Sequence, residues 1–126
     1  MDALKEVMWE KVGLIRDGNG LHDALHGISR LLESSKDVLN IPASGAVTQG
    51  DIVRRSQYQK ALFSHLVICS ALERTNSVGA HFRTDSDDDN SVYNVLLQQD
   101  SNGYPCVDRA YRDETMDDSL SPEEAA

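Results

Sequence analysis

Cysteine is nearly absent: the 126 residues contain only Cys69 and Cys106. Two thiols this far apart make neither a disulfide framework nor a metal knuckle, so a reducing, cytoplasmic setting is the expectation. No run of 18 apolar residues occurs, which excludes a membrane-spanning helix and predicts no membrane insertion. The opening Met1-Asp2-Ala3-Leu4-Lys5-Glu6 lacks the basic-then-apolar order of a secretory signal. Neither G-x-G-x-x-G nor G-x-x-x-x-G-K-[ST] is present, so no phosphate-cradling loop can be placed. Gly13, Gly18, Gly20 and Gly27 fall in or beside helical segments, with no strand expected before them, and read as turn and helix-end glycines. No G-x-S-x-G elbow gathers Ser, His and Asp into a hydrolase triad. At 13.9 kDa the chain has room for one modest core and no second domain of comparable size.

Charge is uneven. Residues 1–84 hold 10 Lys+Arg against 9 Asp+Glu, while residues 85–126 hold 2 against 12, giving the net −9. A near-neutral body thus carries an acidic C-terminal third. Acidic character repels phosphate backbones and anionic lipid, which argues against nucleic acid as a partner.

Apolar residues at Leu4, Val7, Met8, Val12 and Ile15 recur at helical spacing and predict a first helix over 2–15, with Asp2 as its cap. Asp17-Gly18-Asn19-Gly20 ends it. Leu21, Ala24, Leu25, Ile28, Leu31 and Leu32 form the cleanest amphipathic stripe, a second helix with Asn19 as the expected cap. The short linker makes the two helices antiparallel neighbours. Residues 35–50 read as a loop. From Asp51 a third helix is predicted, with Ile52, Tyr58, Ala61, Leu62, His65, Leu66, Cys69 and Leu72 on its buried side. The predicted fold is mainly α: an antiparallel three-helix bundle over 1–84, an acidic linker and β-hairpin over 85–112, and a disordered tail over 113–126. Asn102-Gly103 between two β-prone runs marks the hairpin, which needs something to lean on.

Few side chains suggest chemistry. His22 and His26 are four apart and could share a divalent metal, but nothing nearby completes a shell, so a solvated face is the better reading. His65 and Cys69 read as core residues. Leu72 to Asp85 is different: it leaves an apolar helix, passes Gly79, then alternates His81, Phe82, Arg83 and Asp85. Taken on chemistry alone, Arg74, His81 and Arg83 would cap the free carbonyls at the helix end, where the dipole favours cations.

The same stretch resembles the A-R-x-E-S-R-G-A-H-x-R-x-D signature of the succinate dehydrogenase/fumarate reductase flavoprotein family, which includes L-aspartate oxidase. Arg74, Ser77, Gly79, Ala80, His81, Arg83 and Asp85 match; Asn76 and Val78 replace the family's Glu and Arg. Met8-Trp9 through Val12-Gly13 to Arg16 is similar to the M-W-x-x-V-G-[IL]-x-R opening of that family's C-terminal domain, and Leu21 to Leu32 to its next helix. The resemblance covers most of residues 2–112 and implies a helical domain that packs beside the FAD-binding and capping domains of an oxidoreductase. It implies FAD in the parent enzyme and none in this chain, with no catalytic or metal-binding residue here and no activity for the chain alone. It further implies interdomain contact through Arg74, Ser77, Gly79, His81, Arg83 and Asp85, with Gly79 permitting close backbone approach. The parent is expected in the cytoplasm or at the inner face of the membrane. The C-terminal hairpin favours the dehydrogenase/reductase branch over L-aspartate oxidase. The rival expectation is a free-standing interaction module that exposes an apolar patch or self-associates.

Overall fold

The computed structural model describes residues 2–42, 45–87, 90–101 and 105–111. Three α-helices carry the described fold: α1 (Asp2–Val12), α2 (Gly18–Ser34) and α3 (Gln49–Glu73). A 3-10 turn at Lys36–Asn40 precedes α3. Short strands β1 (Ile15–Arg16) and β2 (Phe82–Arg83) pair in parallel, and β3 (Tyr93–Gln99) pairs antiparallel with β4 (Pro105–Tyr111). The protein is mainly α, as its periodicity predicts. No helix among the described residues is long and apolar enough to cross a membrane.

The helix ends depart from the expected boundaries for local reasons. α1 stops at Val12 and does not reach Ile15. A Cβ at Gly13 would collide with the Trp9 carbonyl oxygen, so the chain turns there in a way only glycine allows. Ile15 passes instead into β1. Asp17, not Asn19, caps α2: its carboxylate accepts from the Gly20 N–H at 2.8 Å, which places Asn19 inside the first turn. The segment 35–50 is not wholly loop, because the 3-10 turn buries Val38 and α3 begins two residues before Asp51. Thr48 and Asp51 exchange side-chain-to-backbone bonds at 3.1 Å each, a capping box that starts the helix there.

The core gathers Val12, Leu21, Ala24, Ile28, Ile68 and Ala71, fringed by Leu4, Val7, Met8 and others. α2 contributes the expected stripe, and it packs against both α1 and α3. α3 turns inward a face rotated from the expected one: Ala61 is buried as expected together with Ser64, Ile68 and Ala71, whereas Tyr58, Leu62, His65, Leu66, Cys69 and Leu72 are only partly covered and Ile52 is exposed. The run from Ala61 to Leu72 is apolar nearly all round, so the small residues that permit close approach to α2 decide the face. Ser64 tolerates burial because its hydroxyl bonds the Lys60 carbonyl.

The β3–β4 pair leans on the end of α3. Tyr93, 3% exposed, faces Tyr111 across the ladder with ring centroids 5.4 Å apart. Arg74 and Arg109 sit over the Tyr93 ring at 4.8 and 4.7 Å, and Arg109 also bonds the carboxylate and carbonyl of Glu73. These contacts give the strand pair the support it needs. Asn102-Gly103, part of the acidic linker (Asp88 and Asp89) and the tail 113–126 lie outside the described residues.

Ile68 is fully buried at the meeting of α2 and α3, whereas Phe63 is 70% exposed. Ile68→Ala is expected to cost about 2–5 kcal/mol in urea unfolding, against roughly 0.5 kcal/mol or less for Phe63→Ala.

Candidate functional site

The end of the first helical segment and the stretch after α3 meet in space. Ile15 and Arg16 pair with Phe82 and Arg83, and the Thr84 N–H donates to the Arg16 carbonyl at 2.8 Å. Residues paired in a ladder share a side of it, so the two arginines turn inward together while Ile15 and Phe82 turn outward. Burial agrees: Arg83 is 7% exposed, Ile15 and Phe82 more than half.

Arg83 holds the junction together. Its Nη1 donates to the carbonyls of Ala71 and Leu72 in the last turn of α3 and of the cap residue Arg74, at 3.1–3.4 Å. Its Nε and Nη2 form a forked pair with the Asp85 carboxylate at 2.9 Å each. Asp85 in turn accepts from the Gly18 N–H, at the start of α2, at 2.8 Å. One ion pair therefore serves the negative end of α3 and the positive end of α2 together. The Arg83 guanidinium and the Gly18 N–H hold the Asp85 carboxyl well below the ordinary carboxylate range.

His81 lies between two of the motifs. Arg16 Nη1 donates to His81 Nδ1 at 2.7 Å, so the ring proton belongs on Nε2, which donates to the Arg74 carbonyl at 2.9 Å. Burial, reinforced by the charges of Arg16, Arg83 and Arg74, pushes its pKa down and keeps the imidazole neutral. Ser77 closes the turn: the Arg83 N–H donates to its hydroxyl at 3.0 Å, and that hydroxyl donates to the Arg83 carbonyl. Gly79 adopts φ +57°, the left-handed region, and a Cβ there would meet nothing within 4 Å. Conformation, not crowding within this chain, is what asks for glycine at this position.

Arg74 donates to the Tyr93 carbonyl at 2.9 Å. Asn76, 2% exposed, donates to the Ser91 carbonyl and accepts from the Tyr93 hydroxyl. An amide can do both, whereas the carboxylate expected by the motif could only accept. Val78 is half exposed. Of the six expected contact residues, all but Gly79 make side-chain hydrogen bonds within their own chain, and of the three expected helix-end caps His81 and Arg83 act as such while Arg74 turns to the Tyr93 carbonyl instead. Arg16, which ends the first of the two motifs, joins this cluster through His81, a placement that composition and spacing did not single out.

Elsewhere the side chains are plain. His22 and His26 are exposed, and among the described residues no three His, Cys, Asp or Glu side chains cluster to hold a metal. His65 and Cys69 are half-buried, the imidazole pushed down and the thiol up by burial, with Nδ1 and Sγ 3.7 Å apart. A strand does precede Gly18-Asn19-Gly20, contrary to expectation. Its helix N-terminus nonetheless cannot receive phosphate, because the carboxylates of Asp17 and Asp85 already occupy the Gly20 and Gly18 N–H groups.

Two outcomes follow. Arg83→Gln leaves the α3 carbonyls short of donors and is expected to cost roughly 3 kcal/mol in chemical unfolding. His81 binds a proton less readily folded than unfolded, so its contribution is complete above its ordinary pKa of 6.5 and falls away as pH drops below it. Thermal unfolding of His81→Gln should accordingly vary less between pH 7 and pH 5 than that of the parent chain; an identical slope would refute the neutral assignment.

The family described as "Fumarate reductase flavoprotein C-term" matches residues 1–125. The fumarate reductase flavoprotein subunit of Helicobacter pylori is 37% identical over 87 residues, 67% of this chain and 12% of that protein. One of the subunits of fumarate reductase (CoM/CoB) from Methanothermobacter marburgensis is 32% identical over 67% of this chain and 15% of its own length. An uncharacterized FAD-dependent oxidoreductase of Methanocaldococcus jannaschii is 32% identical over 68% and 15%. The chain thus spans about one-seventh of the length of these relatives. No solved structure matches it. By the match along nearly its whole length, the chain belongs to the fumarate reductase flavoprotein C-terminal family.

Proposed function

We propose that the chain is the C-terminal helical domain of an FAD-dependent fumarate reductase- or succinate dehydrogenase-like flavoprotein of the cytoplasm. In this reading residues 1–84 form an antiparallel three-helix bundle, residues 85–112 an annex resting on α3, and 113–126 a tail. The domain packs against the FAD-binding and capping domains and contributes no catalytic group. The observation that carries the reading is the family match over residues 1–125 in a chain that lacks any glycine-rich phosphate cradle. The strand–glycine–helix junction at Gly18 is filled by carboxylates, so the described residues there do not fit a flavin pyrophosphate, and in this reading the cofactor is held in the larger protein.

The division of labour among the signature residues follows from their contacts. Ser77, Arg83 and Asp85 shape the Arg74–Asp85 segment; Arg74, His81 and the turn at Gly79 present it to the neighbouring domain. The outward Ile15 and Phe82 support the same reading, since two apolar side chains aligned on a ladder and left in water gain by being covered.

Antibody capture of the protein from native extract, with mass spectrometry and a visible spectrum, tests this. The expected eluate is yellow and contains FAD together with polypeptide much larger than 13.9 kDa. A colourless eluate holding only this chain, as monomer or oligomer, would replace the domain reading with that of a free-standing module.

A further inference from the structure

Among the described residues three part-buried arginines, Arg16, Arg55 and Arg74, form no ion pair; Arg55 is held by the Ile41 and Pro42 carbonyls away from the groove, whereas Arg16 and Arg74 come together at it. Arg83 holds Asp85 and Arg109 holds Glu73, at 2.9 and 2.6 Å. Even the exposed Arg54 finds Asp37. Arg16 has the Val12 and Gly13 carbonyls and a neutral imidazole; Arg74 has the Tyr93 carbonyl and the Tyr93 ring. Among the described residues neither forms an ion pair. Scarcity of acid is not the reason, because Asp and Glu number 21 against 12 Lys and Arg.

Both side chains, with His81, line one open groove of about 710 Å³ between α3 and β3. Leu66, Val67 and Leu97 supply much of its remaining wall. Two cations beside apolar surface repel each other more than they would in bulk water, and the neutral His81 between them offers no counter-charge. The bonds given above still leave donor capacity at Arg16 Nη2 and at Arg74 Nε and Nη1. A carboxylate is the group whose geometry guanidinium forks match best.

We propose that this groove receives a carboxylate side chain borne on an otherwise apolar segment of the flavin-carrying part of the same flavoprotein. The inference rests on the domain reading above and deepens it, naming the chemistry at the contact and adding Arg16 to it. A peptide segment is favoured over a free small anion because only a segment would cover Leu66, Val67 and Leu97 while its carboxylate meets the arginines. The relatives supply the room for such a segment, since some six-sevenths of their length lies outside the region this chain matches.

Zero-length carbodiimide coupling tests the occupant directly, because it joins a lysine amine to a contacting carboxylate with loss of water and leaves arginine untouched. In the assembled flavoprotein, Arg16→Lys and Arg74→Lys keep the charge. Peptide mapping should then find a cross-link from position 16 or 74 to an Asp or Glu of the flavin-carrying part, absent from the unsubstituted protein. A cross-link ending in residues 113–126, or in a second copy of this chain, would overturn the proposal and assign the groove to that occupant. No cross-link, in a variant that still co-purifies with flavin, would overturn it and leave the domain reading standing; a protein that carries no flavin-bearing part at all would overturn both. Phenylglyoxal labelling of the unsubstituted protein gives a second readout that needs no variant. Arg16 and Arg74 should react about tenfold more slowly in the assembled flavoprotein than in the isolated chain, and equal rates would overturn the proposal.

Discussion

The Arg83–Asp85 pair is the constraint on which the rest of this small structure depends. A 25-residue helix ends with carbonyls that need donors, and a 17-residue helix begins with N–H groups that need acceptors. One guanidinium meets part of the first need and its own carboxylate partner part of the second, so side chains two residues apart tie the two helix ends together. The local consequences spread outward. Arg83 inside forces Phe82 outside; the strand that carries them pairs with Ile15 and Arg16; and Arg16 so placed fixes the tautomer of His81. An isolated surface ion pair contributes little. This one matters because it is tied into backbone groups at both of its ends.

That arrangement changes the meaning of the signature. Arg, His and Asp in close succession look like the makings of a catalytic centre, but most of their hydrogen bonds go to backbone of the same chain. The motif at residues 74–85 and the motif ending at Arg16 are two halves of one closure. What faces outward is simpler: a pair of aligned apolar side chains, a turn at Gly79, and a groove with two guanidinia at its rim. On the reading proposed above, this is the surface that meets the rest of the flavoprotein.

How far the sequence foretold this depended on whether a residue's role was local. The stripe Leu21, Ala24, Ile28 on α2 was plain, since nothing but helical burial repeats in that way. The buried face of α3 was not, because Ala61 to Leu72 is apolar on every side and only packing against α2 selects Ala61, Ser64, Ile68 and Ala71. Asp17 and Asn19 are equally good caps by composition; the position of the Gly20 N–H decides between them. Capping of the α3 end by His81 and Arg83 was legible from charge and dipole. Asp85 reaching Gly18, and Arg16 reaching His81, were not, because partners 65 or more positions apart leave no periodic trace. Resemblance to the family placed the correct segments together without saying that they touch.

The parallel pairing of residues 15–16 with 82–83 also sets an order of events when the chain acquires its structure. The paired positions are 67 residues apart, and closing so long a loop costs roughly 4 kcal/mol of chain entropy before any contact rewards it. The helices and the packing of α1 on α2 involve short separations, whereas this closure cannot form until residues 82–85 have been made. During synthesis, α1 and α2 leave the ribosome well before Arg83 and Asp85 do, so the N-terminus of α2 must wait for its second carboxylate until α3 is complete. The outward pair Ile15 and Phe82 is therefore aligned only once all three helices have been made.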